Sequence, residues 1–178
     1  PPKARVPCPF PVLAMIAAHL MTVKKEVMVA VWLILTWALC CRPGESQKLM
    51  WKQIVAPTAV NKSWSVLLSA SSPLEGKSQP SKTGEMDESI VLDHPYLSWF
   101  NKVLKKLKTG KSPNSPMFSF KTQYGSQMFK DVAAELGFQR IGINCVYQVR
   151  HGSASTDMLD RHRSTEELMK RGRWKSLS

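Results

Sequence analysis

Fifteen consecutive uncharged residues, Val27 to Cys41 (VMVAVWLILTWALCC), constrain this chain more than any other feature. A helix at a protein surface keeps one polar face, and this run has none, so it must be enclosed on all sides or lie in a bilayer. It falls short of the ~20 residues that a spanning helix needs. It also begins well inside the chain and lacks a small-residue cleavage pattern, so it is not a signal peptide. The expectation is a helix from about Lys24 to Cys41, buried in a soluble domain with other elements packed around it. Arg42-Pro43-Gly44 ends that helix, because the residue before a proline avoids the helical region. A second helical stretch, Glu45 to about Trp51, follows at once. With 178 residues and 43% hydrophobic content there is enough apolar material for one ordinary domain.

Around this helix the pattern reads as α+β, mostly α. Pro1, Pro2, Pro7 and Pro9 mark residues 1–9 as a linker or cut edge, so the domain is expected over 10–178 and the chain is read as a piece of something longer. Val12 to Met21 reads as a short apolar helix. Trp64, Val66, Leu68 and Ala70 alternate with Ser65 and Ser69 at the period of a strand, and Ser89 to Leu92 is a second short strand. Between them, Ser71 to Glu88 is rich in Ser, Gly, Pro and Lys and reads as a loop or extended hairpin. In Pro95 to Leu107 the apolar face is Tyr96, Phe100, Val103, Leu104 and Leu107, with Lys102, Lys105 and Lys106 off it. Lys121 to Leu136 forms another helix and stops at Gly137. Asn144 is expected to cap a helix running to about Leu159, and Ser164-Thr165-Glu166-Glu167 is a capping box that starts the last one. The small antiparallel sheet has two or three strands.

Lysine and arginine number 25 against 13 acidic residues, a net charge of +12. Such a charge repels itself, and a polyanionic partner relieves that repulsion. Nucleic acid is the leading candidate, a membrane surface the second. Cys8, Cys40, Cys41 and Cys145 form no Cys-x-x-Cys pair and no cluster with zinc spacing. Cys40 and Cys41 inside the apolar run suit buried thiols in a reducing compartment.

Three basic clusters carry candidate chemistry. Arg42 stands at a helix junction with Glu45 near enough to orient it, or it is a surface arginine in a helix-ending turn. Tyr147, Arg150 and His151 fall at i, i+3 and i+4, on one helix face. Together they make a donor-rich group suited to an oxyanion, or a helix whose Tyr and His satisfy each other. Lys170-Arg171-Gly172-Arg173-Trp174-Lys175 is a solvated basic face, or a cation–aromatic surface for a nucleic-acid backbone.

Taken in order, these clusters resemble the three boxes of the tyrosine recombinase (phage integrase) family. CCRPGESQKLMWKQI resembles the first arginine box, with Arg42, Glu45, Leu49, Trp51 and Ile54 in the matching places. VYQVRHGSAS resembles the second, His-x-x-Arg-His, with Arg150 and His151 matching and Tyr147 in place of the first histidine. RGRWKS resembles the last box, with Trp174 at the His/Trp place. The resemblance runs from Phe10 to Ser178 and corresponds to the catalytic domain, a helical fold with a small β-sheet.

What the resemblance implies is DNA strand breaking and rejoining in recombination, integration or transposition. Arg42 and Arg150 would hold the scissile phosphate, and Lys82 would act as general acid from the hairpin, with Lys77 the runner-up. Tyr147, His151 and Trp174 would be supporting groups and Glu45 a structural orienter. A guanidinium pair suits the charge that builds on phosphate oxygens in the transition state. A tyrosine in box two donates well but is a poor base, its ordinary pKa being about 10. The family requires no metal and no cofactor. Its partner is double-stranded DNA, on which its members assemble as tetramers, within the cell and away from membranes. The family's nucleophile is a tyrosine after the last box. Tyr96, Tyr124 and Tyr147 all precede Trp174, and the expected place falls five residues past Ser178, so a catalytic domain truncated at its C-terminus is expected. Three alternatives stand beside this reading: a catalytically inactive DNA-binding relic of the same fold, a type I topoisomerase of the same chemistry, and an unrelated basic helical module such as an RNA binder.

Overall fold

The computed structural model describes residues 6–60, 62–68 and 89–174. The chain divides into two compact units, one formed by residues up to Gln47 together with those from Phe118 onward, the other by Lys48–Met117.

The first unit is helical: α1 (Phe10–Thr22), α2 (Val27–Ala38), α3 (Pro43–Gln47), α5 (Thr122–Glu135), α6 (Tyr147–Leu159) and α7 (Thr165–Gly172). As its composition demands, α2 is enclosed: every residue from Val29 to Ala38 is buried, and α1, α3 and α6 pack against it. Its one polar side chain, Thr36, is fully buried and satisfied, with Oγ1 donating to the Trp32 carbonyl at 2.8 Å and lying 2.7 Å from Ser46 Oγ. Trp32 Nε1 donates to the Pro43 carbonyl at 3.2 Å. These bonds fasten α3 to α2 and so fix the position of Arg42. No helix among the described residues is long and apolar enough to cross a membrane.

The end of α2 differs from expectation. The helix stops at Ala38, before Arg42-Pro43 can act. Cys40 adopts a left-handed conformation (φ 48°), its N–H bonds to the Trp37 carbonyl and that of Cys41 to the Thr36 carbonyl. This is a Schellman turn with cysteine in the place glycine usually takes. Pro43 then opens α3, which ends at Gln47, earlier than expected.

Two other expectations change at α6. The helix begins at Tyr147, and Asn144 is not its cap. The buried Gln148 instead ties down the segment leading into the helix: its Oε1 accepts from the backbone N–H groups of Asn144 and Cys145, each at 2.8 Å, and its Nε2 donates to the carbonyls of Val6 and Gly142. Residues 6–9, part of the stretch expected as linker, lie along this helix. The Cys8 N–H bonds to the Gln148 carbonyl, and a Cβ at Gly152 would come 1.8 Å from the Cys8 carbonyl oxygen. The capping box at Ser164 and Glu167 forms as the sequence indicates.

The second unit holds the sheet. β1 (Ile54–Val55), β2 (Ser65–Leu67) and β3 (Ser89–Val91) pair antiparallel in the order β1-β2-β3, with Ile54 opposite Val66 and Val66 opposite Ile90. The expected alternation holds only in part: Trp64 and Val66 are buried and Leu67 is exposed, but Ser65 between them is buried too, and the strand is shorter. The helix expected from Pro95 splits into a 3-10 turn, Pro95–Leu97, and α4 (Phe100–Lys108), which buries Phe100 and Leu104 and leaves Lys102, Lys105 and Lys106 outside.

Candidate functional site

Arg42 precedes Pro43, the first residue of α3, and Glu45 reaches back to it. Glu45 Oε2 accepts from the Arg42 backbone N–H at 2.7 Å, one half of a capping box, and Oε1 accepts from Arg42 Nη1 at 3.0 Å. The Arg42 side chain is 41% exposed. Its hydrogen bond to Glu45 holds its proton more tightly than usual, and the nearby Tyr147 hydroxyl adds to this. Burial alone would raise the Glu45 pKa. The Arg42 backbone bond and the charge of Arg173 outweigh that and bring it below the ordinary range.

Tyr147 and Arg150 come from the first turn of α6. Arg150 Nη1 faces the Tyr147 hydroxyl at 3.4 Å, so one phenol lies between the guanidinium groups of Arg42 and Arg150. The His151 and Tyr147 rings stand 5.7 Å apart, on the helix face that the i, i+4 spacing implies.

The last element of the site is the turn after α7. Arg173 is left-handed (φ 52°, ψ 47°), its N–H bonds to the Lys170 carbonyl and that of Trp174 to the Met169 carbonyl, a second Schellman turn on a residue other than glycine. Gly172 sits one position earlier because the Trp174 ring folds back on it, and a Cβ there would lie 2.3 Å from that ring. The turn delivers the Gly172 carbonyl to Arg150 Nη2 and the Trp174 ring to 5.2 Å from Arg150 Cζ. Arg150 is 1% exposed beneath this cover, and its Nε finds no hydrogen-bond partner among the described residues.

Arg42, Glu45, Tyr147, Arg150, His151 and Trp174 thus all lie in the first unit, gathered around two guanidinium groups, His151 through its ring contact with Tyr147. Lys82 and Lys77 lie outside the described residues. Two features depart from the sequence reading. The second arginine is enclosed, where a donor surface open to solvent was expected. The third basic cluster is only partly a solvated face: Lys170 is exposed, but Arg171 Nη2 donates to the Ala38 carbonyl at 2.5 Å and Arg173, 9% exposed, bonds Glu45 Oε2 at 2.5 Å. Arg173 was legible only as one more basic residue beside Trp174. Its inward direction depends on a backbone conformation that no propensity assigns to arginine.

No family model matches this chain, and no curated protein matches it. Its structure is similar to the crystal structure of XerH site-specific recombinase bound to difH substrate, a pre-cleavage complex, at TM-score 0.64 and 14% identity, covering 97% of this chain and 48% of that one. The fold is shared with a site-specific recombinase. This chain spans about half the length of that protein. The mostly helical architecture with a small antiparallel sheet agrees with the catalytic-domain fold that the three boxes imply.

Proposed function

We propose that this chain is the catalytic domain of a tyrosine recombinase, in which Arg42 and Arg150 bind a phosphodiester of duplex DNA. The observation that supports this most is the meeting of two arginines, from segments far apart in sequence, on one tyrosine hydroxyl inside a recombinase fold. Guanidinium groups present paired donors to phosphate oxygens and keep their charge at any working pH.

In strand cleavage, a tyrosine hydroxyl gives up its proton to solvent as its oxygen attacks the phosphorus, the bond to the 5′-oxygen breaks, and a 3′-phosphotyrosine forms. Negative charge grows on the non-bridging oxygens, where the two arginines stabilise it. Lys82 gives its proton to the leaving 5′-oxygen. Tyr147 serves by orienting the arginines. Tyr124 is not taken as the attacking group, because it precedes Trp174, whereas the family's nucleophile follows the last box. The nucleophile comes from a tyrosine following Trp174 or from another copy of the protein on the same DNA. Arg150 lies under Trp174 and the Gly172 carbonyl, so a phosphate reaches it as that turn moves away.

A second reading is a DNA-binding relic of the same fold without cleavage. The enclosed Arg150, and a tyrosine where the family's second box has histidine, favour it.

Both readings require binding to duplex DNA that weakens steeply with salt, by about −0.9 in log–log slope for each phosphate contacted. Arg42→Ala should weaken binding about tenfold and flatten that slope by about one contact. Affinity that is flat in salt, or unchanged in Arg42→Ala, contradicts the proposal. A nicked suicide duplex separates the readings. A covalent adduct formed once a tyrosine downstream of Trp174 is supplied supports the recombinase, and its absence supports the relic.

A further inference from the structure

We infer that Arg173 is a positioning residue that acts through Glu45, taking up the carboxylate charge that Arg42 would otherwise neutralise. This rests on the proposed phosphate site and adds a residue to it.

Glu45 performs two opposed tasks. It orients Arg42 through two bonds, to Nη1 and to the backbone N–H, and in doing so it sets a full negative charge against the one exposed guanidinium of the site. A phosphate approaching Arg42 would meet a group already paired. Arg173 resolves the conflict. Its Nη2 bonds the same Oε2 that accepts from the Arg42 backbone, at 2.5 Å, from a side chain only 9% exposed and therefore little screened by solvent. One carboxylate is then shared between two guanidinium groups, and with Arg150 the cluster counts three positive charges against one negative. Arg42 stays aimed and keeps spare charge for an external anion. The backbone points the same way. Arg173 holds a left-handed conformation that ordinary residues avoid, at the residue whose side chain reaches Glu45.

The test measures affinity for a duplex DNA of fixed length at one low salt concentration in wild type, Arg42→Ala, Arg173→Ala, Glu45→Gln and the Glu45→Gln/Arg173→Ala double variant. Arg173→Gly serves if the alanine variant folds poorly, since glycine accepts the left-handed turn. Arg173→Ala or Arg173→Gly should weaken binding about tenfold, leaving Arg42 paired to an unshared carboxylate. Glu45→Gln alone should bind at least as tightly as wild type. The double variant should recover most of the lost affinity. It has lost the same ion pair as the single variant, so recovery isolates charge from turn stability, and a structural role for Arg173 would not produce it. A double variant as weak as Arg173→Ala, or an Arg173→Ala variant with wild-type affinity while Arg42→Ala is weakened, overturns the inference and leaves the phosphate site standing. Unchanged affinity in Arg42→Ala overturns the site and the inference with it.

Discussion

Glu45 and the cysteines show how surroundings set the chemistry of single residues here, ion pairs in one case and burial in the other. The Glu45 carboxyl is held below the ordinary glutamate range, so its ion pairs stabilise the fold fully above that range and are lost as pH falls through the lower folded value. The difference in unfolding free energy between wild type and Glu45→Gln should therefore stay level from pH 7 to about 5 and close as pH drops below about 4. Urea unfolding across that range checks it, and a gap that widens in acid would contradict the sign. Burial pushes the Cys8 and Cys41 thiols up to about 12 and raises Cys40 as well, although Arg150 and Arg171 partly oppose the last. A thiol needs its thiolate to react. Cys145, half-buried, should thus be the first labelled by a maleimide at pH 8, with the other three reacting only as the protein unfolds. Fast labelling of Cys40 or Cys41 in the native protein would show that α2 opens more readily than its packing implies.

At the scale of elements, hydrophobic pattern was a better guide than punctuation. The uncharged run predicted an enclosed helix, and α2 is enclosed along ten successive residues. The Ser164 capping box formed, because all of its partners lie within one turn. What misled was local chemistry resolved at a distance. Asn144 is a good cap in isolation, but the helix starts three residues later, and one buried amide, Gln148, satisfies the Asn144 and Cys145 N–H groups and two carbonyls at once. Proline was expected to end α2, whereas Cys40 and Cys41 end it, in a left-handed turn that cysteine seldom makes. Residues 6–9 crossing α6 at Gly152 left no sequence signal beyond the glycine. Gly152→Ala should destabilise the protein by at least about 2 kcal/mol, because the new methyl meets backbone that cannot rotate aside. A thermal or urea midpoint shifted by less than about 0.5 kcal/mol would show that the crossing can relax.

At the scale of the whole molecule, fold class and candidate site were legible to different depths. The order of helices and strands, with the charge of +12, was enough to expect a mostly helical domain with a small sheet and a polyanionic partner. The three boxes singled out Arg42, Tyr147, Arg150 and Trp174, and the fold gathers these four around the two guanidinium groups. Enclosure of Arg150 was not legible, since it depends on the Gly172 carbonyl and the Trp174 ring closing over it from another helix. Neither was Arg173, whose direction is set by the same turn. Lys82 remains an assignment from sequence pattern, outside the described residues.

On the reading proposed above, Arg42 and Arg150 bind one phosphodiester together. Side-chain Nε–H resonances of the two arginines, identified by Arg42→Lys and Arg150→Lys variants and followed through a titration with duplex DNA, test it most directly. Arg150 Nε has no hydrogen-bond partner among the described residues and is buried, so it has the larger change to make. Both resonances should shift together, with one midpoint, and the Trp174 indole resonance should move with them as the turn uncovers Arg150. If Arg42 shifts while Arg150 and Trp174 stay where they are, the two arginines do not form one phosphate site and the account is contradicted.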